Sequence, residues 1–424
     1  MIERERSEQM DTLNSRYIKL AVLVVVAGSI YPLLYLRQNF EVSLIDALDI
    51  TSQQLAKNYS ILGFLYLITY LPSGWLADKV SPRILMSFSL LTTGLLGAWF
   101  ATLPSFLATQ IIFAGWGITA GLTFWAALIK ATTLLAKPNE QGRFFGILES
   151  GRGLVEAILA TLAIALFAYA TNTLKQDTSI TMQSVIWMYV IFMLVLAPVS
   201  YFALGDDKQK TATVEVSNRS SSLIKDLMII AKVPQVWLSS ICILTGYQLY
   251  YATYSFSAYI QNHYGLTAVA VGSITVASQW MRPIGAIAAG FGADFFNRER
   301  VLSYLLLANS AAVVALAFMP SGSGVIVLLG TVLFVGLLTY AVRGIYWATI
   351  ETCDISNHVK GLAIGLISLI GYAPHFYLPL VRGHLITEFP EKTGYVIYFN
   401  LIAICGVLGA IAAWKLKRAT SSNA

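Results

Sequence analysis

Apolar stretches of about 18 residues or more, the length a helix needs to cross a roughly 30 Å hydrocarbon core, recur along the whole of this 424-residue chain. The alternating pattern of barrel strands is not present. Backbone in hydrocarbon has to satisfy its own polar groups, so a sequence of this kind implies membrane-spanning helices. Composition agrees: 57% of the residues are hydrophobic and only 12% charged, with a mean hydropathy of +0.67, a balance no water-facing surface could carry.

The pattern predicts an all-α polytopic protein of twelve spans. These are 18–40, 59–78, 84–103, 106–135, 144–170 and 185–204, then 236–261, 268–293, 301–319, 324–351, 361–382 and 395–414. A polar stretch between the sixth and seventh divides the chain into a tail (1–17), a six-helix bundle (18–204), a linker (205–235), a second bundle (236–414) and a tail (415–424). The first 17 residues are polar and mixed in charge, with no small-residue cleavage site after the first apolar run, so that run reads as a retained helix.

The net charge of +6 sits in short connections rather than on one face or in one run, so it reads as a topology signal and not as a nucleic-acid surface. With both termini cytoplasmic, Arg16, Lys19, Lys79, Arg83, Lys137, Arg143 and most other basic residues gather on the cytoplasmic side. The opposite loops hold little more than Lys57, Lys175, Arg382 and Lys392. The expected location is the cytoplasmic (inner) membrane. Cys242, Cys353 and Cys405 lie in or beside apolar spans without metal-ligand spacing, which supports neither a disulfide framework nor a zinc site.

The two halves echo each other. Gly74-Trp-Leu-Ala-Asp78 ends the second span and Gly290-Phe-Gly-Ala-Asp294 the eighth. Phe124-Trp125-Ala126 parallels Tyr346-Trp347-Ala348, and Gly142-x-x-x-Gly146 parallels Gly361-x-x-x-Gly365. Matches in this order favour duplicated halves in parallel orientation.

The run Gly74 to Arg83, GWLADKVSPR, resembles the signature loop of the major facilitator superfamily between helices two and three. Ser81 stands where the loop glycine is usual and Pro82 precedes Arg83, a variant similar to the organophosphate:phosphate antiporter branch and its organic-anion relatives. Tyr35-Leu36-Arg37-Gln38-Asn39-Phe40 resembles that branch's first-helix Y-x-x-R-x-N-F, in which the arginine binds substrate phosphate or carboxylate. The branch's second arginine, on helix seven, has no counterpart, since that stretch reads Tyr247-Gln-Leu-Tyr250-Tyr-Ala-Thr-Tyr254. The resemblance implies two pseudo-symmetric six-helix bundles, alternating access and a monomer.

Charged side chains inside a span are costly and therefore suggest function. Arg37 is the leading substrate-binding candidate, because its planar fork matches an anion's oxygens, with Tyr35 and Asn39 beside it. The structural alternative is a helix-end arginine reaching for the interface. Glu149, Arg152 and Glu156 share one helix face by their spacing. Arg152 could bind the anion while Glu149 and Glu156 are proton-coupling candidates, or the triad is a self-neutralised network. Arg343, Tyr250, Tyr254 and His375 are further substrate-binding candidates; His375, Arg282 and Lys130 carry weaker signals, since a lone buried histidine is more often a satisfied packing residue, and the tyrosines could equally be packing.

Gly74, Asp78, Lys79 and Arg83, with Gly290 and Asp294, form the expected cytoplasmic gate. The carboxylates would meet helix N-termini and the glycines would let helices approach closely. The alternative is a charged turn that only sets topology.

If all four intramembrane arginines and the pair Glu149 and Glu156 face one cavity, two positive charges remain uncompensated, and an anion would balance them. The sequence thus points to a secondary transporter of a small organic anion, of sugar-acid or organophosphate type, using proton symport or anion exchange. The alternative is a proton-driven exporter of hydrophobic or cationic compounds. No phosphate loop, metal cluster or catalytic serine motif supports an enzyme, and no cofactor or metal is implied. The partners implied are the lipid bilayer, the small anion and a proton or exchanged anion.

Overall fold

The computed structural model describes the backbone of residues 2–137, 140–205, 228–353, 355 and 360–421. Side chains are described from Ser15 on, except at residues 71, 78, 141, 142, 294, 351, 360–362, 391 and 418–421. All regular structure among the described residues is helical, and each predicted span finds a helix or a broken pair of helices. Residues 206–227, most of the predicted linker, lie outside the described set.

The first span is two helices, Ile2–Leu34 and Arg37–Leu48. Then come Ser52–Lys79, Pro82–Phe100, the fourth span Phe106–Ile118 through Trp125–Leu135, Gln141–Asn172 and Thr178–Leu204. The seventh is Pro234–Ala252 continued by Phe256–Tyr264, and the eighth is Ala268–Gln279 with Met281–Phe295. Arg298–Phe318 and Val325–Ile345 follow as the ninth and tenth. Lys360–Gly371 with Pro374–Glu388, and then Glu391–Ser421, are the eleventh and twelfth.

Nine described stretches are long and apolar enough to cross a bilayer. Large side chains face outward in helical rows, such as Leu91 and Leu95 on the third helix, Ile191 and Val195 on the sixth, and Ile404, Leu408 and Ile411 on the twelfth. A protein with apolar rows on its outer surface is solvated by lipid.

Contacts group the chain into two compact units. One is residues 1–35 with 68–211, the other residues 36–67 with 212–424. Because lipid is as apolar as leucine, close approach and interhelical hydrogen bonds do most to hold such helices together.

In the first unit a Cβ at Gly28 would stand 2.5 Å from the Cβ of Val155 and 2.8 Å from the Arg152 carbonyl oxygen, so only glycine lets the first helix rest on the fifth there. Trp116, fully buried, donates its indole N–H to the Thr93 carbonyl at 3.1 Å. The fourth helix winds as a π-helix over Thr119–Phe124. Its wide turn loosens the backbone ladder, and hydroxyls answer: Ser89 and Thr123 both donate to the Thr119 carbonyl, at 3.2 and 2.6 Å.

The second unit is tied by Asn309 to Thr339, Nδ2 to Oγ1 at 3.1 Å, and by Ser303 Oγ to the Ala410 carbonyl at 2.9 Å. Bonds of this type contribute about 0.6–2 kcal/mol each in a bilayer. Its helices break at Thr253–Ser255, a 3-10 turn, at Trp280 before Met281, and at Ala373 before Pro374. Proline accounts for the last, since it fits a helix start but cannot continue one.

Several spans run past their predicted ends, the first two among them. The first continues to Leu48 and closes at Asp49, whose left-handed backbone (φ 51°, ψ 50°) returns its N–H to the Asp46 carbonyl. The second begins at Ser52 behind a capping box: Thr51 N–H donates to Gln54 Oε1 at 2.8 Å and Gln54 N–H to Thr51 Oγ1 at 3.1 Å.

Candidate functional site

In the second unit the site begins with a broken helix. Pro32 lacks the N–H a helix interior needs, and past Tyr35 and Leu36 the chain starts again as helix at Arg37. Phe40 leaves helical geometry (φ −134°, ψ 30°), and the N–H groups of Asn39 and Phe40 both donate to the Leu36 carbonyl. Three helical turns follow Arg37, which opens the second helix of this span.

Arg37 is 1% exposed. Its guanidinium lies over the rings of Tyr59 at 4.1 Å, Tyr251 at 5.0 Å and Tyr254 at 5.6 Å, a cage drawn from the second and seventh helices. Its backbone N–H donates to the Tyr59 hydroxyl at 3.4 Å. Its Nε and Nη1 find no hydrogen-bond acceptor among the described residues. Burying donors without acceptors costs about 1–3 kcal/mol each.

One turn later stands Glu41, fully buried and held by both nitrogens of Arg382 from the eleventh helix, Nη1 to Oε2 at 2.8 Å and Nη2 to Oε1. Asn39 Oδ1 accepts from Gln279 Nε2 on the eighth helix at 2.9 Å.

The seventh-helix tyrosines extend the cluster. The hydroxyls of Tyr254 and Tyr250 are 2.9 Å apart, and the Arg343 guanidinium covers the Tyr250 ring at 4.0 Å. The Tyr247 hydroxyl bonds His375 Nε2, with the two rings 4.9 Å apart. Arg37, Tyr254, Tyr250 and Arg343 thus form one connected row, flanked by Tyr247 and His375. His375 is positioned by Gly63, where a Cβ would lie 2.2 Å from the His375 carbonyl oxygen. Arg282 is farther off, 6.0 Å from the Tyr340 ring.

The first unit holds Arg152, buried on the fifth helix between Glu149 at 3.3 Å and Glu156 at 3.4 Å. The triad shares one face as its spacing predicts, and the rings of Tyr31 and Trp125 sit 5.6 Å from its guanidinium. Glu149 is 48% exposed at its side chain and Glu156 19%. Tyr35 is buried in this unit.

At the expected gate, Lys79 covers the Trp75 ring at 4.1 Å and Arg83 the Tyr201 ring at 4.8 Å. Lys130 donates to the Ala77 carbonyl at 2.5 Å, capping the end of the second helix. The Asp78 and Asp294 side chains lie outside the described residues. Gly74 and Gly290 were expected at close helix contacts. A Cβ at either would meet nothing within 4 Å among the described residues; close approaches within the units are seen at Gly28 and Gly63. Nearby, Arg16 joins the fourth and fifth helices, with Nε donating to the Leu135 carbonyl and Nη2 to Glu140, both at 2.7 Å.

Sequence reasoning missed Glu41 and Tyr59 and placed Arg382 in a loop. The eleventh helix runs on to Glu388, which puts Arg382 inside it at 1% exposure. Glu41 had an available signal, since it lies one helical turn from Arg37. The pairing with Arg382, which joins residues 341 positions apart, had none.

The family model described as Major Facilitator Superfamily matches residues 20–379. Two proteins of Escherichia coli (strain K12) are similar along their length. Inner membrane protein YihN is 27% identical over 413 residues, 96% of this chain and 97% of that protein. Inner membrane protein YqcE is 27% identical over 387 residues, 90% and 89%. Among solved structures, a mutant of the nucleoside transporter NupG superimposes with a TM-score of 0.68 at 13% identity, over 95% of this chain and 99% of that one. A bacterial homolog of the human lysosomal transporter Spinster, inward-facing and occupied, gives 0.68 at 13%, over 97% of each chain. At these identities the structural likeness speaks for the fold alone.

Proposed function

Since the chain belongs to the Major Facilitator Superfamily, and is on that ground a membrane transporter and not an enzyme, we propose that its cargo is a small organic anion of sugar-acid or organophosphate type. The anion moves by alternating access, by proton symport or anion exchange, and Arg37 is its principal contact.

One observation carries this reading. Arg37 keeps its charge in a buried aromatic cage while two of its donors have no acceptor among the described residues. A carboxylate or phosphate supplies acceptors in charge-assisted bonds, roughly twice as strong as neutral ones, and a cationic cargo would add repulsion. The tyrosine row to Arg343, with Asn39 and His375, provides hydroxyl and ring contacts for a polyhydroxylated body. Glu156, less exposed than Glu149 and paired with Arg152, is the proton-coupling carboxylate when the mode is symport.

Both termini are cytoplasmic in this reading. Arg16 supports it by fixing the start of the first span to the basic connection that carries Lys137 and Arg143. The names of the two E. coli relatives support an inner-membrane location. Gly74, Asp78, Lys79 and Arg83, with Gly290 and Asp294, act as the cytoplasmic gate, and the protein works as a monomer.

Thermal stabilisation of the purified chain by sugar acids, sugar phosphates, inorganic phosphate and lipophilic cations tests the proposal. An anion should raise the midpoint of the native protein and leave Arg37→Ala unmoved. Stabilisation by lipophilic cations alone, or anions acting equally on both forms, would replace this reading with a proton-driven exporter of hydrophobic or cationic compounds.

A further inference from the structure

Arg37 is not the sole buried arginine at its site. Arg382, equally buried, is its electrostatic neighbour, and so is Glu41. Among the described residues, Tyr59 on the second helix and Tyr251 on the seventh also face Glu41; Tyr395 and Tyr398 on the twelfth stand by Arg382.

Arg382 spends two of its nitrogens on the two oxygens of Glu41, which makes that pair neutral. With the tyrosines protonated, this end of the site holds one net positive charge, on Arg37; Arg343 stands at the other end of the tyrosine row, over Tyr250, so the count concerns the anionic group that meets Arg37. An uncompensated charge in a low-dielectric interior is costly. The occupant that leaves the least residual charge is therefore one that brings a single negative charge. A dianion would leave a surplus negative charge beside a carboxylate that has no free oxygen to protonate without breaking its pair.

We infer that Glu41 is a specificity-determining residue: by neutralising Arg382 it makes the site select a monoanion, such as the carboxylate of a sugar acid, over a dianionic phosphate monoester. The inference rests on the reading of Arg37 as the anion contact. Without Glu41 the same place would present two arginines and suit a doubly charged ligand.

The test compares affinities for gluconate and glucose 6-phosphate at about pH 8, above the second phosphate ionisation near pH 6, by thermal-shift titration of the full-length protein. The native chain should prefer gluconate. In Glu41→Gln the ratio should move toward glucose 6-phosphate by about tenfold or more. The double variant Glu41→Gln with Arg382→Gln again carries one net charge and should return to the native preference, which a merely structural role for the pair would not produce.

A native preference for the phosphate, an unchanged ratio in Glu41→Gln, or a double variant that fails to return to the native order would each overturn the inference. If Glu41→Gln does not fold unaided, glucose 6-phosphate added during purification should recover it and gluconate should not; recovery by gluconate alone, or by neither, would overturn the inference. If neither anion stabilises the native chain, or Arg37→Ala binds both as the native chain does, the anion reading of Arg37 has failed and this inference falls with it.

Discussion

Replacing Arg37 with methionine should stabilise the empty protein while abolishing anion binding. Two guanidinium donors without acceptors cost about 1–3 kcal/mol each, and methionine removes both while filling similar volume. Against this stands the loss of stacking on Tyr59 at 4.1 Å, about 2 kcal/mol for a desolvated pair, together with attraction to Glu41. Glu41 is not orphaned, because Arg382 still holds both its oxygens. The balance favours the variant by about 0–3 kcal/mol.

Arg382→Met is the contrasting perturbation. It strands a fully buried carboxylate, and breaking such a pair costs about 3–5 kcal/mol. Tryptophan fluorescence during thermal unfolding in detergent reads both variants: Arg37→Met should melt at or above the native midpoint and Arg382→Met well below it. A hundredfold excess of anion over its Kd should then add about 2.7 kcal/mol to the native chain and nothing to Arg37→Met. An Arg37→Met protein that melts several degrees below native would refute the reasoning, since it would mean that the charge is satisfied within the fold.

Gly63→Val should disrupt the contact of the second and eleventh helices, because even a Cβ would sit 2.2 Å from a backbone oxygen; a lowered melting midpoint with weakened ligand stabilisation checks it. The Arg16 guanidinium, by its hydrogen bond, holds the Glu140 carboxyl below the usual carboxylate range. A depressed folded-state value gives stability that is present above the unfolded value and lost as pH falls through the folded one. Glu140→Gln should accordingly melt below native near neutral pH, with the gap closing below about pH 4; a gap that persists in acid would assign it to packing. Under proton symport, Glu156→Gln should leave anion exchange between the two sides of a vesicle intact while uncoupling uptake from an imposed pH gradient, and uptake still driven by the gradient would remove Glu156 from that role.

The helices were legible because lipid asks one thing of a span, a long apolar run. Where function put polar groups into a helix, the same rule cut it short. The first span seemed to end at Phe40 because Glu41 and Asp46 follow, yet Glu41 is buried against Arg382 and the helix continues to Leu48. The second began earlier than its hydropathy, although the Thr51-x-x-Gln54 capping box that starts it stands in the sequence. Arg37 and the Glu149–Arg152–Glu156 face were readable from local spacing. The Glu41–Arg382 pair was not, since a contact 341 residues apart leaves no mark in one sequence.

The π-turn at Thr119–Phe124 holds one residue more than an α-turn, and because each of its residues advances the helix by a smaller angle, the extra residue does not change the face that the rest of the fourth helix presents. A single-residue deletion there could heal into regular helix with Lys130 still at the Ala77 carbonyl and Trp125 still beside Arg152. The same deletion in the regular helix after it would rotate everything beyond by about 100°. A change in length should therefore be tolerated at this turn and not past it.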